Sequence, residues 1–182
     1  DTHKEIILPS FPLPEPSLKF MLNHAGFTID NAYNEQLQTQ RWRATSDGVI
    51  AMEVEFVGGI TYNPTVFGYY RNGNPLTFVP LFTTVNIDGL PHPAYPWLIP
   101  LFPGMKRLFL IPVHAGDTIA FGIDSFNMLT FTPKLFFTEN NRNLDLLDHA
   151  LVYSENCGEY AIGFEDQPLL GDHDFQDMVV IT

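Results

Sequence analysis

In the stretch VIAMEVEFV, Val49 to Val57, apolar and charged residues alternate from Met52 to Phe56. Met52, Val54 and Phe56 fall on one side of an extended chain, and the two intervening glutamates fall on the other. A period of two is typical of a strand that has one buried face and one solvent face. The stretch therefore predicts a β-sheet that packs one side against a core.

Short segments of the same kind recur along the rest of the chain. They are TVFGYY, LTFVPLF, RLFLIPV, DTIAFGID, TFTPKLFF, HALVYS, YAIGF and DMVVIT, with turn-forming residues such as RNGN (71–74) between them. The 15 prolines and 13 glycines also favour short strands over helices. We therefore predict an all-β fold, a single antiparallel, jelly-roll-like β-sandwich over residues 48–182. Residues 1–47 are expected to form an irregular, Pro-rich N-terminal lead, packed on or linked to that core, with weak helical character from Ala25.

The net charge of −12 bounds the classes of partner. Nucleic acids and anionic membranes are bound through clustered Lys and Arg, so neither is expected as a partner. The longest uncharged run, residues 89–105, contains five prolines and is not a spanning helix, so no membrane insertion is expected. The single Cys157 has no partner for an internal disulfide. Cations are the small partners that the charge favours.

The acidic residues are concentrated in the last forty positions. Residues 143–182 contain nine Asp and Glu and no Lys or Arg. Two like charges about 4 Å apart near a protein surface repel by roughly 4 kcal/mol, so a folded segment of this kind needs relief. The repulsion among these carboxylates can be relieved by Lys or Arg from a distant strand, by protonation of some of the carboxylates, or by a bound cation. The cation is the simplest of these, and hard oxygen ligands favour Ca²⁺ over Zn²⁺.

The candidate calcium ligands lie in three neighbouring segments. DHDFQD can turn three carboxylates toward one centre while Phe175 anchors the loop in the core, although it is not an EF-hand. The earlier loop TENNRNLDLLDH (138–149) adds amide and carboxylate oxygens. The full set is Glu165, Asp166, Asp172, Asp174, Asp177, Asn143 and Asp145. A merely solvated acidic turn and a polar loop with Asx turns are the alternatives.

The segment from Phe136 to Val180 resembles the bacterial domain of unknown function 4114. The matched positions are an Asp-His pair, a G-F-E-D motif and a G-D-x-D-F-x-D motif, namely Asp148, His149, Gly163 to Asp166, Gly171, Asp172, Asp174, Phe175 and Asp177. Leu170 and Gln176 depart from the Gly and Asn usual in that family. The resemblance covers about the last third of the chain. It implies a secreted module of bacterial surface or adhesin-like proteins, and it supports cation binding more than catalysis.

Other candidate residues have weaker patterns. His149, with Asp148 beside it, is expected to orient a ligand carboxylate through a hydrogen bond, or else to be a satisfied buried histidine. Tyr95 and Trp97, in a proline-stiffened loop, either stack against a ligand or cover the core. Glu165 and Asp166 are adjacent and should point to opposite faces of a strand, which makes them a poor acid and base pair.

These patterns together predict a secreted, calcium-binding β-sandwich module with a structural, adhesive or ligand-binding role at the bacterial cell surface. Carbohydrate or another surface protein is the expected partner of its outer surface. The alternative is a carboxylate- or metal-dependent hydrolase that acts on polysaccharide. A plain assembly protein is the third possibility.

Overall fold

Alternating segments of the chain form the strands in the computed structural model, which describes residues 17–28, 37, 39–57, 64–86, 88–102, 105–127, 132–154, 158–170, 175 and 178–182. One helix, α1 (Leu18–His24), precedes the strands. The strands are β1 (Trp42–Arg43), β2 (Gly48–Val57), β3 (Thr65–Arg71), β4 (Val79–Thr84), β5 (Pro100–Leu101), β6 (Arg107–Val113), β7 (Thr118–Asn127), β8 (Thr132–Phe137), β9 (Ala150–Ser154), β10 (Tyr160–Phe164) and β11 (Met178–Ile181).

Two sheets form the sandwich. The first has the order β6-β2-β11-β10-β9, and the second has the order β1-β7-β3-β4-β5, with β8 also paired to β7. All pairings between these strands are antiparallel except the short one between β4 and β5, which is parallel. The predicted all-β sandwich is confirmed, with this one parallel pair as a local exception.

The core lies between the two sheets and contains side chains from ten of the strands. Met52 and Val54 of β2 are fully buried, whereas Glu53 between them is exposed, as the period of two predicts. They pack in one cluster with Phe67 of β3 and Phe121 of β7 from the opposite sheet. Alternation in β2 therefore assigns the inner and outer faces of its sheet correctly.

Among the described N-terminal residues, the helix lies before the region predicted to have helical character. The prediction began at Ala25, whereas α1 ends at His24; most of the predicted region, residues 29–36 and 38, lies outside the described residues. The Ser17 side chain caps the helix by accepting a hydrogen bond from the Phe20 amide at 3.3 Å. Gly26, at φ +102°, follows the helix in a conformation that favours glycine. The capping residue and the glycine therefore set the two ends of α1.

Helix α1 covers part of the outer side of the first sheet. Its apolar residues Leu18, Met21 and Leu22 are spaced as one helical face and pack against Tyr153 of β9 and Val179 of β11. The strands β9, β10 and β11 are consequently buried on both sides. No helix in the described ranges is long and apolar enough to cross a bilayer.

The strand register brings the ends of several strands together at one end of the sandwich, where β10 ends at Phe164 and β11 begins at Met178. Thr65 of β3 pairs with Ser125 of β7 at the same end of the opposite sheet. Because Glu165 and Asp166 directly follow β10, this region is called the acidic end below.

Candidate functional site

The loop that leads into β11 is anchored at the acidic end by an aromatic side chain. Phe175 is 3% exposed and packs with residues of α1, β9 and β11, so its predicted burial is confirmed. Its carbonyl oxygen lies only 2.6 Å from the position that a Cβ atom on Gly163 would take. Only glycine therefore allows the loop to approach β10 this closely. The three carboxylates next to this anchor, Asp172, Asp174 and Asp177, lie outside the described residues.

Glu165 and Asp166 are both buried, but their side chains make contacts in different places. Asp166 Oδ2 accepts hydrogen bonds from Ser125 Oγ at 3.1 Å and Thr65 Oγ1 at 3.4 Å, both on the opposite sheet. Glu165 Oε1 accepts one from the Gln167 amide at 3.1 Å, within its own loop. The expected divergence of these adjacent carboxylates is present. They are consequently not placed as an acid and base pair across one cleft.

Asp145 and His149 form a hydrogen-bonded pair beside Glu165. His149 Nε2 lies 2.9 Å from Asp145 Oδ2, and His149 Nδ1 lies 3.2 Å from the carbonyl oxygen of Glu165. The imidazole is fully buried and stacks on Phe136, with ring centroids 3.9 Å apart. Asp145 also accepts from the amides of Leu147 and Leu169.

The partners of His149 determine where its ring carries hydrogen. Its two neighbours, the carboxylate of Asp145 and the carbonyl oxygen of Glu165, are both acceptors. A hydrogen on Nε2 satisfies Asp145, and a second hydrogen on Nδ1 would satisfy the Glu165 carbonyl as well. Burial opposes ionisation of Asp145, but the hydrogen bonds from His149, Leu169 and Leu147 outweigh it and hold the pKa of Asp145 below its ordinary value.

Two further predicted residues have contacts within the protein. Asn143 is buried, accepts from the Phe137 amide at 2.7 Å, and donates to the carbonyl oxygens of Phe137 and Leu147. Burial raises the pKa of Asp148, against the opposing effect of hydrogen bonds such as the one from the Ala150 amide. Asn143 thus fastens its loop to the backbone. The residues that the structure describes contain no cluster of three or more His, Cys, Asp or Glu suited to a metal ion, so the calcium roles stay predictions.

The predicted aromatic pair lies over the outer side of the second sheet. Tyr95 and Trp97 meet edge to face with centroids 5.8 Å apart, and Trp97 is 72% exposed. Beneath them lie two residues that sequence reasoning missed, His92 and Asp124, both buried. Asp124 occupies an outward position of β7, where alternation predicts solvent. Its burial results from the loop that folds over it, which no local pattern reveals.

A groove of about 600 Å³ lies at the other end of the sandwich. Its lining includes Trp42, Tyr160 and Ile181, with the carboxylates Glu53 and Glu159 among the polar residues. Among the described residues, none of those predicted to form a site lines this groove. Its components come from the starts of β2 and β10 and the end of β11, so only the strand register brings them together.

Comparison with protein-family models, with curated proteins and with solved structures gives no match to this chain. The resemblance to domain of unknown function 4114 therefore stays a prediction that these comparisons neither support nor contradict.

Proposed function

We propose that this protein is a secreted β-sandwich module with a structural, adhesive or ligand-binding role, and that calcium bound at its acidic end stabilises it. The proposal depends on the close contact between the Phe175 backbone and Gly163. Gly163 is two residues from Glu165, whose carboxylate is buried. This contact fixes the middle of an acidic loop beside an acidic strand end. Such an arrangement collects oxygen ligands of the kind that Ca²⁺ prefers.

Glu165 is the described carboxylate best placed to join that loop. The β10 ladder continues to Glu165, whose amide donates to the His149 carbonyl at 3.0 Å. Alternation then places its side chain on the same side as Gly163, the side on which Phe175 lies. Asp166 reaches the opposite sheet instead. The proposed ligand set is therefore Glu165 with Asp172, Asp174 and Asp177.

The local charge supports a need for a cation. The carboxylate of Asp145 is hydrogen-bonded to the buried imidazole of His149. The remaining acidic residues after Asp145 have no Lys or Arg in residues 143–182 to balance them. A divalent ion would lower the repulsion among the carboxylates of the loop.

The position of β11 explains how an ion in this loop would stabilise the whole domain. The loop leads directly into Met178, and β11 lies between β2 and β10 within its sheet. An ion that binds only when the loop is folded therefore favours the state in which this interior strand is paired.

Thermal unfolding with CaCl₂ and with EDTA tests the proposal. At an ion concentration about 100 times Kd the stabilisation is about 2.7 kcal/mol, which corresponds to a rise in Tm of roughly 5–10 °C for a domain of this size. We expect Glu165→Gln to reduce this calcium-dependent rise, and the exposed Glu159→Gln to leave it unchanged. Equal melting curves with calcium and with EDTA would remove the proposal.

A second assay separates this module from the alternative hydrolase. The purified protein is incubated with a panel of polysaccharides in calcium, and new reducing ends are measured. Binding without release of sugar is the result expected for a module. Release that disappears in Glu53→Gln or Glu159→Gln would instead identify the groove at the other end of the sandwich as an active site.

A further inference from the structure

His92 and Asp124 form a buried polar pair on the outer side of the second sheet, away from the proposed calcium ligands. His92 is 0% exposed and Asp124 is 5% exposed. His92 Nε2 faces Asp124 Oδ1 at 3.7 Å, and neither atom has a hydrogen-bond partner in the described structure. A distance of 3.7 Å is too long for a hydrogen bond between them. Unsatisfied buried groups of this kind are costly and are typical of functional sites.

The hydrogen bonding of His92 fixes which ring nitrogen carries the proton. The Ala94 amide donates to His92 Nδ1 at 3.2 Å, so this nitrogen is an acceptor and carries no hydrogen. Nε2 must then carry the N–H that points toward Asp124. The pair consequently offers one donor and one acceptor side by side.

A donor next to an acceptor selects the chemistry of a ligand. A hydroxyl oxygen about 2.8 Å from both atoms fits a separation of 3.7 Å, and a hydroxyl group can accept from Nε2–H while it donates to Oδ1. An ammonium group has no lone pair to accept with. A metal ion would meet the N–H of Nε2 rather than a free lone pair. The geometry therefore favours a hydroxyl over a cation.

The loop around the pair adds an aromatic surface. The ring of Tyr95 lies 5.1 Å from that of His92, and burial together with the charge of Asp124 raises the pKa of Tyr95. Trp97, beside Tyr95, presents most of its ring to solvent. The loop is held in place, because the His92 amide donates to Thr83 Oγ1 and the Tyr95 amide donates to the His92 carbonyl. The side chain of Tyr95 is partly exposed and lies between this pair and Trp97.

We propose that this outer face of the second sheet binds a saccharide, with Trp97 stacked on a sugar ring and a sugar hydroxyl entering between His92 Nε2 and Asp124 Oδ1 as Tyr95 turns aside. Aromatic rings provide the apolar contact and the buried pair provides the polar orientation, as in other ligand sites. This site does not depend on the calcium proposal, because none of its residues belongs to the proposed ligand set.

The test begins with a glycan array of microbial, plant and animal oligosaccharides, probed with the labelled full chain in EDTA. Bound glycans are then titrated in solution by isothermal titration calorimetry. We expect Trp97→Ala and Asp124→Asn each to weaken the affinity by about tenfold or more, since each removes one element of the contact. The matched controls are Phe20→Ala, an exposed aromatic on α1, and Asp88→Asn, both of which should bind like wild type.

The melting temperature of Asp124→Asn distinguishes a binding role from a structural one. If Asp124 serves to bind a ligand, the wild-type Tm without ligand should be equal to or lower than that of Asp124→Asn. The reason is that the buried charge of Asp124 is poorly satisfied when no ligand is bound. Three outcomes would overturn the proposal: no glycan on the array binds, binding persists in Asp124→Asn, or Asp124→Asn unfolds the protein.

Discussion

The pair of Asp145 and His149 gives the sharpest prediction about stability. Asp145→Ala removes a carboxylate that accepts from His149 Nε2, from the Leu147 amide and from the Leu169 amide. It leaves the fully buried imidazole of His149 without the carboxylate to which it is hydrogen-bonded. Leaving a buried donor unsatisfied costs about 1–3 kcal/mol, and more when the lost partner is charged, so we expect a loss of about 3 kcal/mol.

His149→Phe is the complementary change. A phenyl ring can keep the stacking on Phe136, but it donates no hydrogen bond to Asp145 or to the Glu165 carbonyl. We expect a loss of about 2–3 kcal/mol, as for hydrogen bonds to charged groups. The double variant loses both polar partners together and leaves no buried imidazole without its acceptor. Its loss should therefore be about 1 kcal/mol smaller than the sum of the two single losses.

Chemical denaturation of the four proteins in EDTA measures this coupling and excludes any contribution from a bound ion. The pH dependence provides a second check on Asp145. Because the pKa of Asp145 is lowered in the folded state, its stabilising contribution is complete above the unfolded value of about 3.9 and is lost as the pH falls through the folded value. Losses that add to within about 0.5 kcal/mol at pH 7 would refute this coupling.

Two other substitutions test the effects of burying Phe175 and Asp148. Phe175→Ala should lower the free energy of unfolding by about 3–5 kcal/mol in denaturant titrations, because it leaves a cavity where the buried ring packs. The control Phe20→Ala, at an exposed position, should change this free energy by less than about 0.5 kcal/mol. A loss below 1 kcal/mol for Phe175→Ala would show that the loop is not anchored there. Asp148→Asn should stabilise the protein at pH 7 in EDTA, because burial raises the pKa of this carboxyl and penalises its charged form. The gain should shrink as the pH falls through the folded pKa toward the unfolded value of about 3.9 and be absent below it, and a gain independent of pH would contradict this cause.

The candidate site was only partly visible in the sequence. The absence of Lys and Arg from residues 143–182 indicated a need for positive charge, and proton uptake was one of the expected sources. The structure places the ring nitrogens of His149 against two acceptors, Asp145, four residues away, and the Glu165 carbonyl, sixteen residues away. The i, i+4 spacing was present in the sequence, but the second acceptor depends on the pairing of β9 with β10.

The sequence by itself determined the all-β fold, the buried face of β2, the burial of Phe175 and the divergence of Glu165 from Asp166. Each of these follows from alternation or from the cost of exposing a large apolar ring, which are local properties of the chain. Only the tertiary structure decided that Asp124, on an outward strand position, would be buried beneath the loop of His92 and Tyr95. The reason is that a strand specifies which way a side chain points, whereas the path of a distant loop specifies what that side chain meets.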